Sequence, residues 1–382
     1  MKKLIQFGKP LLDDSEKKKV LEVLSGTQLV HGPKSQEFEK KFAKYIGSKY
    51  AISVSSCTAG MHLSLLAKNI GVGDEVIVPA LSHVATCHVV EYIGAKPIFV
   101  DVEKETGNIN VKELKKKISL KTKAIIIVHY LGLPCNVNEI KNIIKKKKIF
   151  LIEDCALALG AKYGNRRTGN LGESGCFSFY PVKHITTAEG GMITTNNKSF
   201  SDRLRRIKAF GYDRSLNSRK IPGIYDVIDL GFNYRMSEIH ASLGISQLKK
   251  LKDFLKQRKL NYDFLSKKLK GIKGVHQFLN FDRNKLHSYY CLNIVLKKEL
   301  KVNRNNFIIW LKKNNVGVSV HYPKALPSLK FYKNKYKYKK NDFFVANWIA
   351  DNTISLPVGP HLQISDMKYM VEKIKEGIQK NV

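Results

Sequence analysis

The sequence predicts an α/β fold, with a large domain on a mainly parallel seven-stranded sheet and a small C-terminal α+β domain. Three observations carry that expectation. Between Tyr50 and Glu153, short apolar runs of strand length alternate with segments of helical period. Such alternation builds a sheet covered by helices on both faces. Two more strand-like runs, Cys176–Tyr180 and Met192–Thr195, complete the series. From about Lys250 the pattern changes to a long amphipathic helix with sparser strands, which divides the chain into domains over 1–250 and 251–382.

In chain order, Asp13–Leu24 is a charged helix with apolar Val20, Leu21 and Leu24, and Gly26–Pro33 is a turn-rich loop. Lys34–Ile46 is a helix with Phe38, Phe42, Tyr45 and Ile46 on one stripe. The strands then fall at Tyr50–Ser55, Glu75–Pro79, Pro97–Val102, Ala124–His129 and Ile149–Glu153. The intervening helices are Thr58–Lys68, Val84–Ile93, Val111–Ile118 and Val137–Lys145. Phe200–Lys208 is a basic helix, Gly211–Asp229 a long loop, and Ile239–Leu251 a helix. Beyond it come a helix at Leu251–Leu269, strands at Tyr289–Val295 and Val316–Tyr322, and helices at Asn305–Lys313 and Asp366–Ile378. Tyr332–Lys340, with Tyr and Lys interleaved, reads either as a solvated loop or as a clamp for a nucleotide diphosphate. Ligands of such sheets bind at the carboxyl ends of the strands.

Composition narrows the function. The 382 residues carry 67 Lys and Arg against 32 Asp and Glu, a net charge of +35. No RNA- or DNA-binding signature accompanies the charge, so solvated helix faces explain it better than nucleic acid. A basic surface would also attract phosphorylated substrates. The six cysteines are scattered without a C-x-x-C and read as small buried residues. The eleven histidines form no H-E-x-x-H, so no metal site is expected. MKKLIQFGKP lacks the apolar run of a signal peptide, and no stretch is long enough to span a bilayer. The expected setting is the reducing cytoplasm.

One loop stands apart. In GCFSFYPVKHITTAEGGMITTN, Pro181 and the Glu189-Gly190-Gly191 turn hold Lys183 between two buried strands. A desolvated lysine has a lowered pKa and can serve as an amine nucleophile, as Schiff-base enzymes require. The plain alternative is a surface lysine at a strand end. The setting decides between them. F-S-F-Y-P-x-K, with E-G-G beginning six residues after Lys183, resembles the cofactor-lysine segment of the DegT/DnrJ/EryC1/StrS sugar aminotransferases. The resemblance runs from Phe7-Gly8 to the closing helix. It implies a fold-type I transferase dependent on pyridoxal 5'-phosphate (PLP), with pyridoxamine phosphate as the intermediate form.

The resemblance also implies site residues. Ser55-Ser56-Cys57-Thr58-Ala59-Gly60 joins a strand to a helix, where free backbone N–H groups and the helix dipole favour an anion. Thr58 and Ala59 would donate to the PLP phosphate, although a simple Ser/Thr N-cap reads the same way. The family usually has Gly where Cys57 stands. In Pro79-Ala80-Leu81-Ser82-His83-Val84-Ala85-Thr86, His83 takes the place of a ring-stacking aromatic; otherwise it is a histidine at a helix start. Asp154 is either an ordinary turn residue or the partner of the pyridine nitrogen. Leu157 replaces the Gln or His that normally meets the phenolic oxygen, leaving that contact to His83 or to water. Ser178 matches the family's phosphate-facing serine, and strand alternation puts it on one face with Tyr180, opposite Phe177 and Phe179. In Gly231-Phe232-Asn233-Tyr234-Arg235-Met236-Ser237-Glu238, Asn233 would reach the cofactor phosphate of a neighbouring subunit, making a homodimer with shared sites; otherwise it caps a helix. The pair His321-Tyr322 lies in a stretch the family keeps near substrate, but His321 reads equally as a core residue.

The implied reaction is transfer of nitrogen, with glutamate as donor, to a nucleotide-linked keto-sugar, 4-keto-6-deoxy first. A branch of the family replaces the lysine with histidine and dehydrates sugars. Counting back from Glu189 places Lys183, not His184, at that position. A sugar dehydratase and a regulatory protein of the same fold are the alternatives.

Overall fold

The computed structural model describes residues 4–214, 221, 223–278, 280 and 282–382. Part of the loop expected over Gly211–Asp229 therefore lies outside the described residues. Helix α1 (Asp14–Leu24) starts at an Asp13–Glu16 capping box. Helix α2 (Pro33–Ile46) has Pro at its first position and ends at Gly47, whose φ of 83° only glycine adopts freely. Then follow β1 (Tyr50–Val54), α3 (Cys57–Leu66), β2 (Glu75–Pro79), α4 (Val84–Tyr92), β3 (Lys96–Val100), α5 (Val111–Lys117), β4 (Thr122–Val128), α6 (Val137–Ile144) and β5 (Phe150–Asp154). Short β6 (Lys162–Tyr163) and β7 (Arg166–Arg167) precede β8 (Ser174–Ser178) and β9 (Gly191–Thr195).

Seven of these strands form one sheet in the order β1-β9-β8-β5-β4-β2-β3. Only β9 runs against the rest, so the sheet is mainly parallel, as the alternating pattern predicts. Its centre is β-branched and dry: Ile125, Ile126, Ile127, Leu151 and Ile152 are fully buried. On one face, Phe38 and Phe42 of α2 pack against Phe177 and Phe179. Burial of rings like these contributes about 1.5–3 kcal/mol each, and it fixes which way Ser178 and Tyr180 point.

Helix α7 (Lys198–Ile207) leads to α8 (Glu238–Leu269), 32 residues long. The two helices expected over Ile239–Leu251 and Leu251–Leu269 are one, because no Gly or Pro interrupts the chain near Leu251. The proposed division between 1–250 and 251–382 falls inside it. After α8 come β10 (Val275–Gln277), β11 (Lys285–Leu286), β12 (Cys291–Leu296), α9 (Arg304–Lys313), α10 (Lys330–Tyr336), α11 (Phe344–Asn352), β13 (Thr353–Pro357) and α12 (Ile364–Gln379). A three-stranded sheet, β10-β12-β13, shares an apolar core with α8, α9 and α12.

Two expectations here fail. Val316–Tyr322 is not a strand: among the described residues it makes single bridges, Val316 to Ile5 and Ser319 to Ser355 on the outer edge of β13, and its pairing is shared between two different segments. Tyr332–Lys340 is not a solvated loop. Tyr332 is fully buried on α10, and Tyr332 and Tyr338 close edge-on over Phe99. The tyrosines face the core and the lysines face out, a helical amphipathy that the interleaving hid. All six cysteines are buried and unpaired. Among the described residues no helix is long and apolar enough to cross a membrane.

Candidate active site

Four parallel strands deliver their carboxyl ends to one place. Ser56 and Thr58 follow β1, His83 follows β2, Asp154 ends β5 and Ser178 ends β8. Together with Cys57, Leu157, Tyr180, Lys183, Glu189 and Tyr322 they line a cavity of about 400 Å³. Sheet order thus gathers residues as far apart in sequence as Ser56 and Ser178, as the carboxyl-end rule anticipates, and Tyr322 reaches the cavity from outside the sheet.

Lys183 sits on a turn closed by its own N–H donating to the Tyr180 carbonyl at 2.9 Å. The loop around it is internally tied. Thr186 Oγ1 donates to the Phe179 carbonyl at 2.9 Å, and Thr187 N–H donates to the same carbonyl at 2.9 Å. Gly191 is required where the loop returns to the sheet, because a Cβ there would lie 2.4 Å from the backbone carbon of Ser56. The Lys183 Nζ makes no hydrogen bond or ion pair among the described residues and lies 5.3 Å from the centre of the Tyr290 ring. Burial pulls this amine below its ordinary value, opposed by the Asp154 carboxylate. An amine that is neutral more readily than usual is a better nucleophile and proton acceptor.

Asp154 is buried and held from two sides. Thr86 Oγ1 donates to its Oδ2 at 2.9 Å, and the Ala156 N–H donates to its Oδ1 at 3.0 Å. The Cys57 Sγ lies 3.9 Å from Oδ1. Burial and the neighbouring Asp154 carboxylate push this thiol up, so it stays protonated. Cys57, standing where the family usually has Gly, is the first residue of α3 and is accommodated in ordinary helical structure. Next to Asp154, Glu153 is fully buried and accepts from the N–H groups of Gly169, Leu171 and Gly172 at 2.6–2.8 Å and from His129 Nε2 at 2.9 Å. Asp154 thus follows a residue tied by four hydrogen bonds.

The anion cradle is an N-cap as well. Ser56 Oγ accepts from the Ala59 N–H at 3.0 Å, so that donor is already engaged, and Ala59 does not line the cavity whereas Thr58 does. His83 stands both at a helix start and at the cavity. It caps α4, with Nδ1 accepting from the Ala85 N–H at 3.2 Å, and lines the cavity beside Tyr322, the two rings 6.0 Å apart. Ser178 is half-buried and Tyr180 exposed, on the same side of the chain. Leu157 lines the cavity, and its carbonyl accepts from Ser288 Oγ at 2.8 Å.

His321 is not among the residues lining the cavity. Its Nδ1 meets Ser355 Oγ at 2.9 Å, its ring stacks on Phe7, and burial pulls it down to about 3. Tyr322 does line it, its phenol pushed up by burial. Asn233 is exposed and lies outside its own chain's cavity. It does not cap α8, because Ser237 does; instead its Oδ1 accepts from Arg235 Nε at 2.9 Å.

Three residues of this arrangement carry no assigned role in the sequence reading: Thr86, Glu189 and Tyr290. Thr86 and Glu189 lie inside recognisable phrases, S-H-V-A-T and E-G-G, which were the available signal. Tyr290, far along the chain, gives none. One cavity that joins an unpaired amine, a fixed carboxylate and a hydroxyl-rich helix start has the donor set for a flat anionic aldehyde, so these residues fit pyridoxal phosphate.

Comparison with known proteins points the same way. The profile of the DegT/DnrJ/EryC1/StrS aminotransferase family matches residues 10–375. The chain is 36% identical to GDP-perosamine synthase of Escherichia coli O157:H7 over 377 residues, 98% of each protein. It superposes on the Spr1654 protein of Streptococcus pneumoniae in its PMP-form with a TM-score of 0.93 and 28% identity, covering 99% of this chain and all of the other. The PLP-form of the same protein gives 0.92. The GDP-4-keto-6-deoxymannose-3-dehydratase ColD, solved as a point mutant with bound GDP-perosamine, gives 0.91 at 27% identity, covering 97% of this chain and 100% of that one.

Proposed function

The chain belongs to the DegT/DnrJ/EryC1/StrS aminotransferase family, and from that premise we propose that it aminates a nucleotide-linked keto-sugar, 4-keto-6-deoxy in the first instance, with glutamate as the nitrogen donor. It is a sugar aminotransferase dependent on pyridoxal phosphate, with pyridoxamine phosphate as the alternate form. The observation that carries the proposal is the Lys183 amine, unpaired and depressed by burial, in one cavity with Asp154.

Bound pyridoxal phosphate supplies an aldehyde that takes up nitrogen and a ring that withdraws electrons. The residues of the chain do the rest. Lys183 Nζ would be the covalent anchor; when free, it would take the proton from the donor's α-carbon as base and then, as acid, deliver it to the cofactor's aldehyde-derived carbon. Asp154, kept in place by Thr86 and the Ala156 N–H, holds a proton on the pyridine nitrogen. Thr58 and Ser178 bind the phosphate with the α3 N-terminus, with Ala59 contributing once its N–H leaves Ser56. His83 covers the ring face, and Tyr180 and Tyr322 border the sugar. His321 supports Tyr322 from the core.

Asn233 is assigned to the cofactor phosphate of a second subunit. Support for a homodimer comes from its surroundings: Ile224, Val227, Ile228 and Leu230 are all more than half exposed on the same loop, an apolar density that lone soluble surfaces avoid. Lys183 in the cavity, with His184 outside it, supports transfer of nitrogen over dehydration. His184 is turned away, its Nε2 at 2.9 Å from the Ser288 carbonyl, and is not a cavity residue.

The test is a screen of purified protein with glutamate and a panel of nucleotide keto-sugars, read by mass spectrometry of the amino sugar. Formation of a 4-amino sugar from a 4-keto-6-deoxy substrate supports the proposal. Turnover only with another ketone position, or loss of water without nitrogen gain, refutes it.

A further inference from the structure

Arg258, two-thirds of the way along α8, is buried with only 5% of its surface exposed. No carboxylate pairs with it among the described residues, and its Nε has no hydrogen-bond partner. A guanidinium removed from water without an anion is costly, and a packing role alone is filled at lower cost by an apolar side chain. What it does contact is backbone. Nη1 donates to the Tyr290 carbonyl at 2.9 Å and the Tyr289 carbonyl at 3.4 Å, and Nη2 donates to the Lys183 carbonyl at 3.4 Å.

These carbonyls come from two segments far apart in sequence; one lines the proposed site and the other packs against its lysine. Lys183 presents the amine; the Tyr290 ring lies 5.3 Å from that amine. Tyr289 takes a φ of 56°, a left-handed conformation that a bulky residue adopts only when its surroundings impose it. A planar fork with fixed donor directions can hold carbonyls from two segments at a set separation, which an ammonium on a flexible stem cannot. The fork itself is mounted on the buried side of a helix of 32 residues.

We propose that Arg258 is a positioning residue for Lys183: one guanidinium ties the carbonyls of Lys183 and Tyr290 together and so sets the lysine amine against the aromatic ring beside it. This rests on the reading of Lys183 as the cofactor lysine. Removal of the clip takes no side chain out of the cavity lining but lets the lysine turn and the Tyr289–Tyr290 segment move independently. The amine then spends less of its time where proton transfer requires it, a loss in kcat more than in donor affinity.

The experiment uses full-length holoenzyme. Borohydride reduction and peptide mass mapping of the wild type first establish which residue carries the cofactor; a label away from Lys183 defeats the underlying reading and this inference with it. With the label on Lys183, Arg258→Met and Arg258→Lys are compared with wild type by visible circular dichroism of the cofactor band and by steady-state kinetics. Arg258→Met is expected to change the sign or intensity of the band and to lower kcat roughly tenfold to a hundredfold, with KM for the amino donor little altered. Arg258→Lys is expected to recover part of both signals. A lower melting temperature with wild-type dichroism and kcat overturns the inference and leaves Arg258 a purely structural residue. Should Arg258→Met not fold, Arg258→Lys decides by the same readouts: an altered band and reduced kcat support the clip, and wild-type values refute it.

Discussion

The hydroxyl of Thr86 donates to the carboxylate of Asp154 at 2.9 Å, across 68 residues of sequence. Asp154 is buried, so its oxygens rely on protein donors for their hydrogen bonds. Thr86→Val keeps the shape and removes the donor. The loss is expected to cost about 1–3 kcal/mol, divided between stability and cofactor retention. Urea unfolding of apoenzyme and the dissociation constant for PLP measure the two parts. Equal values in variant and wild type would mean that Thr86 does not hold Asp154.

Lys183 gives the apoenzyme a pH dependence of definite sign. Burial holds its amine below the ordinary 10.5. Between that lowered value and 10.5 the unfolded chain binds more protons than the folded one, so this residue makes stability rise with pH across the window. Below the window its burial is a standing cost. Lys183→Met is therefore expected to stabilise the cofactor-free protein at neutral pH and to flatten the rise. Urea unfolding of both apoproteins from about pH 7 to about pH 10 checks it. A parallel pair of curves would show that the amine is not desolvated.

Much of this architecture is legible in the sequence, and the reason is local. The seven strands of the large sheet are short and mostly apolar because both faces are covered, and such runs announce themselves. The lysine loop is legible because Pro181, Gly190 and Gly191 punctuate it. What escaped is what depends on distant partners. A strand at Val316–Tyr322 has the right residues, but its pairing is divided between Ile5 and Ser355, one bridge each. Tyr332–Lys340 looks polar until Phe99 is placed beneath it. Leu251 looks like a boundary only because composition changes there, whereas a helix ends at a cap or a breaker and none is present. Tyr290 meets Lys183 through tertiary packing with no pattern to mark it.

Glu153 tests the rigidity of the strand that carries Asp154. Burial alone would raise its carboxyl; His129 and the backbone N–H groups of Gly172 and Gly169 outweigh burial and hold it below the ordinary 4.5. Its folded value is lowered, so the stabilisation is present above 4.5 and is lost as pH falls through the folded value. Glu153→Gln puts an NH2 among donors and leaves a single oxygen to serve His129 and the three backbone N–H groups. The expected loss is about 3–5 kcal/mol at neutral pH, read as a lower urea midpoint. The gap between the two proteins is expected to shrink in acid. A constant gap down to the acid transition would assign the loss to packing instead of charge.

Asn233 and Lys183 belong to the same chain but not to the same cavity. If Asn233 serves the site of a partner subunit, inactivation at the two positions should complement. Lys183→Ala and Asn233→Ala homodimers are each expected to be nearly inactive. In a mixed dimer one site receives both defects and the other receives neither, because a two-fold interface exchanges the same patch in both directions. Random reassortment makes half of the dimers mixed, with one working site in each, so co-expression is expected to restore roughly a quarter of wild-type activity. Two tags and tandem purification isolate the mixed species, which should approach half. Sites complete within one chain predict no recovery at any ratio, since neither chain alone holds both residues intact.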